Sequence, residues 1–222
     1  FDTIKKHMLL RYSLLKQFYT FFFKMPGAEF RVGTIIRPLF FEFHDRLMPQ
    51  YGSLVYEEQF MLSVTLMAAP VLYEGKDEVS IYFPNCKWFD LRNNGGNKIP
   101  VQNGYFTVKA PLGDEVPYFL REGKILLKQE VRGIRSTEDL TNVFNLTAGL
   151  PDFHPDGNLK KSSGAVGNIL DIPNYSEEVV FKHCVEKNCL MNITVNCSYD
   201  SHELSVIVSS TSQSEPRTEN HV

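Results

Sequence analysis

The stretch Thr34-Ile-Ile-Arg-Pro-Leu-Phe-Phe-Glu-Phe43 decides the fold of this chain. It is almost wholly β-branched, aliphatic and aromatic, and it would be apolar on both faces of a strand except at Arg37. That pattern is typical of a strand in a parallel sheet covered on both sides, and it predicts a strand over residues 34–41. No second helix–strand unit precedes or follows it, so we expect its parallel neighbours to belong to a larger α/β assembly outside these residues.

The residues before this strand predict one long helix over residues 2–24. Asp2 or Thr3 can act as its N-cap, and Pro26-Gly27 is expected to end it. One apolar set recurs at steps of three and four: Ile4, Met8, Tyr12, Leu15, Tyr19 and Phe22. A second set widens the apolar stripe: Leu9, Leu10, Leu14, Phe18 and Phe21. The basic residues occupy other faces: Lys5, Lys6, Arg11 and Lys16. A helix this apolar is expected to be covered by more protein than a surface helix would be.

The residues after the strand change to a β pattern. A polar loop begins at His44, and residues 57–62 predict a short helix. From Leu66 the apolar period becomes two, with turn residues at short spacing, which predicts an antiparallel sandwich. The predicted strands are 66–72, 79–83, 87–91, 105–110, 118–128 and 143–149. Residues 151–168 are typical of a loop or linker. Three further strands are predicted at 178–183, 190–197 and 202–209.

Charge and hydropathy exclude two classes of partner. The chain of 222 residues has 23 basic and 26 acidic residues, well mixed, for a net charge of -3. It therefore has no electrostatic footprint for nucleic acid or an anionic membrane surface. No apolar run approaches the roughly 20 residues that span a bilayer. The first residue is Phe1 and no signal-peptide pattern follows it, so we expect a removed presequence or a piece of a longer protein.

Cysteines and glycosylation sequons favour the secretory route. The four cysteines, Cys86, Cys184, Cys189 and Cys197, lack the spacing of a zinc site. Cys184 and Cys189 flank a turn-like segment and are candidates for a disulfide, the alternative being buried free thiols. The N-x-S/T sequons begin at Asn145, Asn174, Asn192 and Asn196, three of them close together. Sequons clustered with candidate disulfide cysteines predict a secreted or lysosomal glycoprotein.

Several motifs together resemble glycoside hydrolase family 31, and within it the secreted and lysosomal α-glucosidases. They occur in the family's order: Leu10-Arg-Tyr-Ser-Leu-Leu15, Ile36-Arg-Pro-Leu-Phe-Phe-Glu-Phe43, Gln59-Phe-Met61, Ala69-Pro-Val-Leu72, Tyr82-Phe-Pro84, Trp88-Phe-Asp90, Ala110-Pro-Leu112 and Val116-Pro-Tyr-Phe-Leu-Arg-Glu-Gly-Lys-Ile125. Beyond residue 150 the likeness fades. Residues 165–171 resemble a worn form of the family's Gly-x-Leu-Tyr-x-Asp-Asp-Gly turn, with Ile172 and Pro173 in place of its second Asp and its Gly.

The resemblance implies a mainly β fold with a specific domain order. Residues 1–65 would be the end of a (β/α)8 barrel, with helix 2–24 as its seventh helix and strand 34–41 as its eighth strand. Residues 66–150 would form a proximal antiparallel β-sandwich. Residues 151–222 would be a linker and the start of a distal β-sandwich. The missing parallel neighbours of strand 34–41 would then lie upstream, in a partner segment of the same enzyme.

The resemblance also implies the activity. Family members are retaining exo-acting α-glycosidases, here one that hydrolyses terminal α-linked glucose from oligosaccharides, and the catalytic carboxylates would lie upstream of this chain. Retaining chemistry needs two carboxyl groups about 5–5.5 Å apart. Glu42 and Asp45 follow a predicted barrel strand and were weighed as such a pair, but the family carries the Glu-Phe as a structural element. We therefore assign no catalytic, substrate-binding or metal-binding residue and no cofactor to this chain.

The remaining candidates favour structural roles. Arg37 is expected to form a structural ion pair, and Trp88 is expected to pack in a core rather than stack on a sugar. The six histidines show no metal spacing. Ser63 stands where the family commonly has glycine. The worn turn and the dense sequons leave a second hypothesis open, namely an inactive relative that serves as a glycan-binding or structural component.

Overall fold

A computed structural model describes residues 1–22, 34–43, 58–100, 103–140, 143–150, 162–170, 190–198 and 203–210. Over these residues the chain is mainly β with few helices, as predicted. The helices are α1 (Asp2–Ser13), α2 (Leu15–Phe22) and α3 (Phe40–Phe43), with single 3-10 turns at Arg92–Asn94 and Thr137–Asp139. The strands are β1 (Ile36–Arg37), β2 (Phe60–Leu62), β3 (Leu66–Ala68), β4 (Glu78–Phe83), β5 (Trp88–Asp90), β6 (Asn97–Lys98), β7 (Gly104–Lys109), β8 (Tyr118–Arg121), β9 (Ile125–Gln129), β10 (Phe144–Ala148), β11 (Ser162–Leu170), β12 (Leu190–Ser198) and β13 (Glu203–Ser210).

The strands form four antiparallel sheets. The largest has the order β1–β2–β3–β8–β5–β6. β4 pairs with β7, β9 pairs with β10, and β11–β12–β13 form a three-stranded sheet. The predicted strands at 79–83, 87–91, 105–110, 143–149, 190–197 and 202–209 are confirmed as β4, β5, β7, β10, β12 and β13. The prediction for 178–183 lies outside the described residues.

The prediction of one strand over residues 34–41 is wrong, and Pro38 explains why. Proline lacks an N–H donor and fixes φ, so it interrupts a ladder and suits the first turn of a helix. β1 therefore ends at Arg37, and Phe41 N donates to Pro38 O at 3.2 Å as α3 begins. The expected parallel neighbours are also not what the described residues show, because β1 pairs antiparallel with β2.

The predicted helix at 57–62 is likewise wrong, since Phe60–Leu62 is the strand β2. Its apolar run is too short for periodicity to distinguish a helix from a strand. The segment forms a strand because it pairs with both β1 and β3. The segment 118–128 is two strands rather than one, because Gly123 at φ +72 turns the chain between β8 and β9. Residues 162–168, predicted as part of a linker, belong to β11, which pairs along its whole length with β12.

The predicted long helix is two helices separated by Leu14. Leu14 has φ −94 and ψ −2, close to helical values, and its N–H still donates to Leu10 O at 3.2 Å. The Ser13 hydroxyl donates to the same carbonyl at 2.7 Å, a local bond that competes with regular helix geometry. The predicted N-cap is also wrong, because Phe1 holds that position without a side-chain bond and Asp2 lies inside the first turn. The predicted end at Pro26-Gly27 lies outside the described residues.

The faces of the two helices differ from the predicted stripe. Ile4 is 68% exposed and Met8 is 44% exposed, although both belong to the expected apolar face. In α2 the buried residues include Lys16, Gln17 and Thr20. The Thr20 hydroxyl donates to Lys16 O at 2.8 Å, and the Lys16 ammonium lies 5.4 Å from the centre of the Phe144 ring. The apolar periodicity shows how apolar side chains are distributed around a helix, but not which face packs against the sheet. Lys16 was therefore predicted to lie away from the apolar face, whereas it is buried.

The core lies on both faces of the six-stranded sheet. On one face, Met67 and Phe119 pack toward β4 and β7 in a cluster with Ile81, Phe83 and Trp88. On the other face, Leu66 and Leu120 pack with Leu14 and Leu126. Because β3 and β8 are covered on both sides, they are apolar without alternation. A third cluster joins β9 to β12 through Ile125, Leu127 and Ile193.

The turn between β2 and β3 contains Ser63. Ser63 has φ +58, in the left-handed region that favours glycine, and its N–H donates to Ile35 O at 2.6 Å. A glycine, as the family resemblance implies at this position, would suit this conformation.

Candidate functional site

The residues at the junction of β1 and α3 form an ion-pair network. Arg37 Nη1 donates to Glu42 Oε1, while Arg121 Nη1 lies 3.5 Å from Glu42 Oε2. Arg37 Nε also donates to Thr34 O at 3.0 Å, and the Arg121 guanidinium lies 4.7 Å from the centre of the Phe43 ring. The side chains of Arg37 and Glu42 are 9% and 12% exposed. The predicted structural ion pair of Arg37 is therefore confirmed.

This network indicates a structural role for Glu42. Each oxygen of its carboxylate faces a guanidinium, so the group joins α3 to β1 and β8 rather than presenting a free carboxylate to a sugar. Asp45, the other member of the pair weighed from the sequence, lies outside the described residues.

Trp88 packs in the core, as predicted. Its side chain is fully buried, with ring centres 6.1 Å from Phe43 and 6.4 Å from Phe83. The indole N–H donates to Pro84 O at 3.3 Å, which satisfies the one polar atom of the ring. No face of this ring is available for stacking on a ligand.

Gln59 links the two sheets that enclose this core. Its Nε2 donates to Tyr82 O at 2.8 Å, and its Oε1 accepts from Tyr82 N at 2.9 Å. Both bonds are buried, so the side-chain amide holds the segment before β2 against β4. This geometry gives the quoted Gln59-Phe-Met61 motif a structural role.

A concave site with mixed chemistry lies between α1 and the β8–β10 region, and we call it the α1 groove. Its volume is about 330 Å³. Its lining residues are Lys6, Leu9, Leu10, Ser13, Glu115, Tyr118, Lys128, Gln129, Glu130, Val131 and Asn145. It combines an apolar floor from α1 with charged groups of both signs from the strands.

Lys128 and Tyr118 form a coupled pair in the α1 groove. Lys128 Nζ donates to the Tyr118 hydroxyl at 2.8 Å, and that hydroxyl donates to Leu91 O at 3.0 Å. Burial lowers the pKa of Lys128, opposed in part by the charge of Glu115. Burial, then the negative charges of Glu115 and Asp90, raises the pKa of Tyr118. A side-chain hydrogen bond with Glu115 also contributes to the raised pKa of Tyr118, so the three groups form a polar anchor in the groove.

A polar contact network closes the same groove near the start of α1. His7 Nε2 accepts from Val116 N at 3.1 Å, so its Nδ1 carries the proton and donates to Thr3 O at 2.8 Å. Lys6 Nζ donates to Asn93 Oδ1 at 3.2 Å and lies 3.9 Å from Glu115 Oε1. These bonds attach α1 to the loop before β8 and to the 3-10 turn after β5. Among the described residues no group of three or more histidine, cysteine or acidic side chains could hold a metal ion.

The predicted modification residues fall in different places. Asn145 is exposed on β10 and lines the α1 groove. Asn192 and Asn196 lie on β12, whereas Asn174, Cys184 and Cys189 lie outside the described residues. Cys86 is buried. Sequence reasoning missed the α1 groove itself, although Lys128 inside the apolar run of β9 was a signal that a charged group needed a partner there.

Large apolar side chains are exposed both at α1 and at the β1–α3 junction. At α1 these are Phe1, which precedes the helix, and Ile4 and Met8 on one helix face. At the β1–α3 junction they are Ile36 at 62%, Phe40 at 47% and Phe41 at 58% exposure. Within the described part of the chain, no helix is long and apolar enough to cross a membrane.

Comparison with known proteins identifies one segment of the chain. Residues 33–126 match the family model described as the glycosyl hydrolase family 31 C-terminal domain. This segment therefore corresponds to the C-terminal domain of glycosyl hydrolase family 31. The match covers β1 through the start of β9, so it includes the ion-pair network and the Gln59 link.

Family 31 relatives extend this similarity along most of the chain. Intestinal sucrase-isomaltase of Rattus norvegicus is 28% identical over 202 residues, covering 90% of this chain and 10% of that protein. Lysosomal acid alpha-glucosidase of Tetrahymena pyriformis is 27% identical over 217 residues, covering 93% of this chain and 21% of that protein. The chain thus spans between about a tenth and a fifth of the length of these relatives.

A solved family 31 structure shares the fold. The Flavobacterium johnsoniae dextranase complexed with glucose superposes with a TM-score of 0.62 at 19% identity, over 92% of this chain and 22% of that one. At this identity the likeness concerns the fold alone.

Proposed function

We propose that this chain forms the C-terminal part of a retaining, exo-acting α-glucosidase that hydrolyses terminal α-linked glucose from oligosaccharides. In that enzyme residues 1–65 form the end of a (β/α)8 barrel, with α1–α2 as its seventh helix. Residues 66–150 form the proximal β-sandwich and residues 151–222 the start of the distal one. The catalytic carboxylates belong to the upstream barrel segment, and this chain needs no cofactor.

The observation that carries this proposal is the exposure of apolar side chains on α1 and at the β1–α3 junction. Phe1, Ile4 and Met8 at α1, and Phe40 and Phe41 on α3, leave apolar surface in water. Several large apolar side chains exposed on one element are typical of a face that another element covers. An upstream barrel segment supplies that cover in the proposed enzyme.

The internal contacts support a bracing role for this chain. Arg37, Glu42 and Arg121 tie the β1–α3 junction to β8, so the 34–43 segment is held by the β region on one side while Phe40 and Phe41 face outward. Such an arrangement holds α3 at a fixed position relative to β8, so the β region can brace a barrel segment that covers Phe40 and Phe41.

The relatives' names support the activity and the compartment. One relative is named lysosomal alpha-glucosidase and another is named intestinal sucrase-isomaltase. These names indicate glucosidase activity and a location in the lysosome or the intestine. We extend this to a lysosomal or extracellular enzyme reached by the secretory route, consistent with the sequons.

Hydrolysis of a chromogenic α-glucoside by the complete protein tests the activity. We expect turnover with a product of retained anomeric configuration, because retaining chemistry inverts the anomeric carbon twice. Phe41→Asp is expected to lower the yield of active enzyme by about tenfold, since it places a charge in the covered face. Tyr73→Asp, at a residue 63% exposed and distant in sequence from that face, is the matched control. An active complete protein unaffected by Phe41→Asp would remove the bracing role.

Residues 1–222 alone give a second test. Their exposed apolar faces predict that the isolated chain self-associates or requires the upstream segment for solubility. A sharp two-state melt of a monomer would contradict the barrel-closing part of the proposal.

The second candidate function is a catalytically inactive relative that serves as a glycan-binding or structural component. It is favoured by Ile172 and Pro173, which replace acidic and glycine residues of the family's turn. Two barrel aspartates in the upstream sequence, together with turnover of the glucoside, would exclude it.

A further inference from the structure

The sequon Asn145-Leu-Thr147 lies beside the α1 groove, on a strand that can accept a modification. Asn145 is exposed, and Thr147 is partly buried opposite Leu126 of β9. In the described residues β10 pairs with β9 and has no partner on its other side. A group attached to Asn145 therefore does not displace a neighbouring strand or a core side chain.

The groove next to Asn145 has the chemistry that a sugar ring requires. Leu9, Leu10 and Val131 offer an apolar surface for the C–H face of a pyranose. Lys6, Lys128 and Glu130 place charged donors and an acceptor around it for the hydroxyl and acetamido groups. Its volume of about 330 Å³ leaves room for a small polar ring close to the chain.

We propose that Asn145 carries an N-linked glycan whose first N-acetylglucosamine lies in the α1 groove, between α1 and the β9–β10 pair. In the attachment step the side-chain nitrogen of Asn145 forms a bond to C1 of the sugar and loses one proton. The bond from C1 to the oxygen of a lipid diphosphate donor breaks, and the lipid diphosphate leaves with the electron pair and takes up the charge. Nothing is oxidised or reduced. The proposal rests on the secretory-route part of the proposed function.

The seated sugar has a structural consequence for α1. This helix contacts the rest of the chain through Lys6, His7 and the apolar side of the groove, while Ile4 and Met8 face outward. A ring that bridges Lys6 and Lys128 adds contacts to an element with few buried side chains. It therefore slows local opening of α1.

Occupancy is tested on the complete protein secreted from a eukaryotic host, by peptide mass spectrometry before and after enzymatic release of N-glycans. Thr147→Val removes the sequon and keeps a side chain of similar shape, whereas Thr147→Ser preserves the sequon and is the matched control. We expect a glycan on Asn145 in the wild type and in Thr147→Ser, and none in Thr147→Val. An unmodified Asn145 in a secreted protein that carries glycans at other sequons would overturn the inference.

Seating in the groove is tested by hydrogen exchange of residues 2–13. We expect amide exchange in α1 to be about fivefold faster in Thr147→Val than in Thr147→Ser. Trimming the wild-type glycan to its first sugar is expected to leave exchange in α1 unchanged, because that sugar makes the contacts. Equal exchange in the two variants, with Asn145 fully occupied in the control, would overturn the seating.

Measuring α-glucosidase activity in the same protein distinguishes failure of this inference from failure of the proposed function. Hydrolysis of an α-glucoside together with a bare Asn145 would overturn the inference alone. A glycan on Asn145 with altered exchange in α1, in a protein without α-glucosidase activity, would support the inference and remove the proposed activity.

Discussion

The six-stranded sheet buries its two faces in different ways. Toward β4 and β7 the covering groups are apolar and large, with Trp88, Phe83 and Phe119 fully buried. Toward α1 and α2 the covering surface includes buried Lys16, Gln17 and Thr20, and the α1 groove with Lys128. The first face is covered mainly by large apolar side chains, with the Gln59 amide and the Trp88 indole as its hydrogen-bonded polar groups. The second face combines an apolar leucine cluster with buried polar groups and leaves a groove. The first face is therefore expected to hold the fold and the second to be adjustable.

The largest effect is expected from Trp88→Ala on the apolar face. Removing a fully buried indole leaves a cavity and should lower the free energy of unfolding by about 3–5 kcal/mol. Chemical denaturation of the complete protein, followed by circular dichroism and hydrogen exchange of β5, measures it. Tyr73→Ala, at an exposed residue, should change stability by less than about 0.5 kcal/mol. Similar losses at the two positions would contradict the assignment of this face as the principal core.

Breaking the ion pair at the margin of the apolar face should cost somewhat less. Glu42→Gln leaves two guanidinium groups, Arg37 and Arg121, without a carboxylate, and we expect a loss of about 3 kcal/mol. Adding Arg37→Met to this variant should restore part of the stability, because one unpaired buried charge is removed. Glu74→Gln, at an exposed carboxylate, is the control, and an equal effect there would refute the network's role.

On the face toward the helices, Gly149→Ala should destabilise by about 2 kcal/mol. A Cβ at this position would lie 2.7 Å from Arg121 O and 3.2 Å from the Phe89 ring. The chain cannot move away easily, because Gly149 N donates to Lys124 O and Gly149 O accepts from Gly123 N. Gly96→Ala, which meets nothing within 4 Å, is the matched control in thermal melts.

The smallest effect is a pH dependence from Lys128. Burial lowers the pKa of Lys128 in the folded state. In the pH range between that lowered pKa and the ordinary lysine pKa of about 10.4, the unfolded chain therefore binds more protons than the folded chain. Stability therefore rises with pH across this window, and Lys128→Met should remove that rise. Above pH about 10 the raised pKa of Tyr118 acts with the opposite sign, so the comparison is confined to lower pH.

Denaturant unfolding at a series of pH values checks this effect, with Lys76→Met at an exposed lysine as control. The wild type and Lys76→Met should share one pH slope, and Lys128→Met should have a flatter one. Parallel slopes for all three proteins would contradict the desolvated position of Lys128.

Strands with alternating apolar residues could be predicted from the sequence. The predictions failed where a single residue ends an element, or where packing against a distant element determines which side chains are buried. Strands β4, β5 and β7 follow from alternation and flanking turn residues, and buried Trp88 and paired Arg37 follow from the cost of exposing or isolating such groups. The 34–41 strand failed because the restrictions of Pro38 outweighed the β propensity of its neighbours. Buried Lys16 and the α1 groove depend on which side of the helices meets the sheet, and no local pattern records that.

The Gln59 side chain has a consequence for self-association. In the β4–β7 pair the backbone N–H and C=O of Tyr82 bond to the Gln59 amide, at the positions where another strand could add to β4. Exposed strand edges are the usual templates for intermolecular pairing. The amide thus occupies the place of one residue of a neighbouring strand. Replacing it with leucine would remove both bonds to the buried backbone of Tyr82, which would weaken this edge and let it pair between molecules when it opens locally.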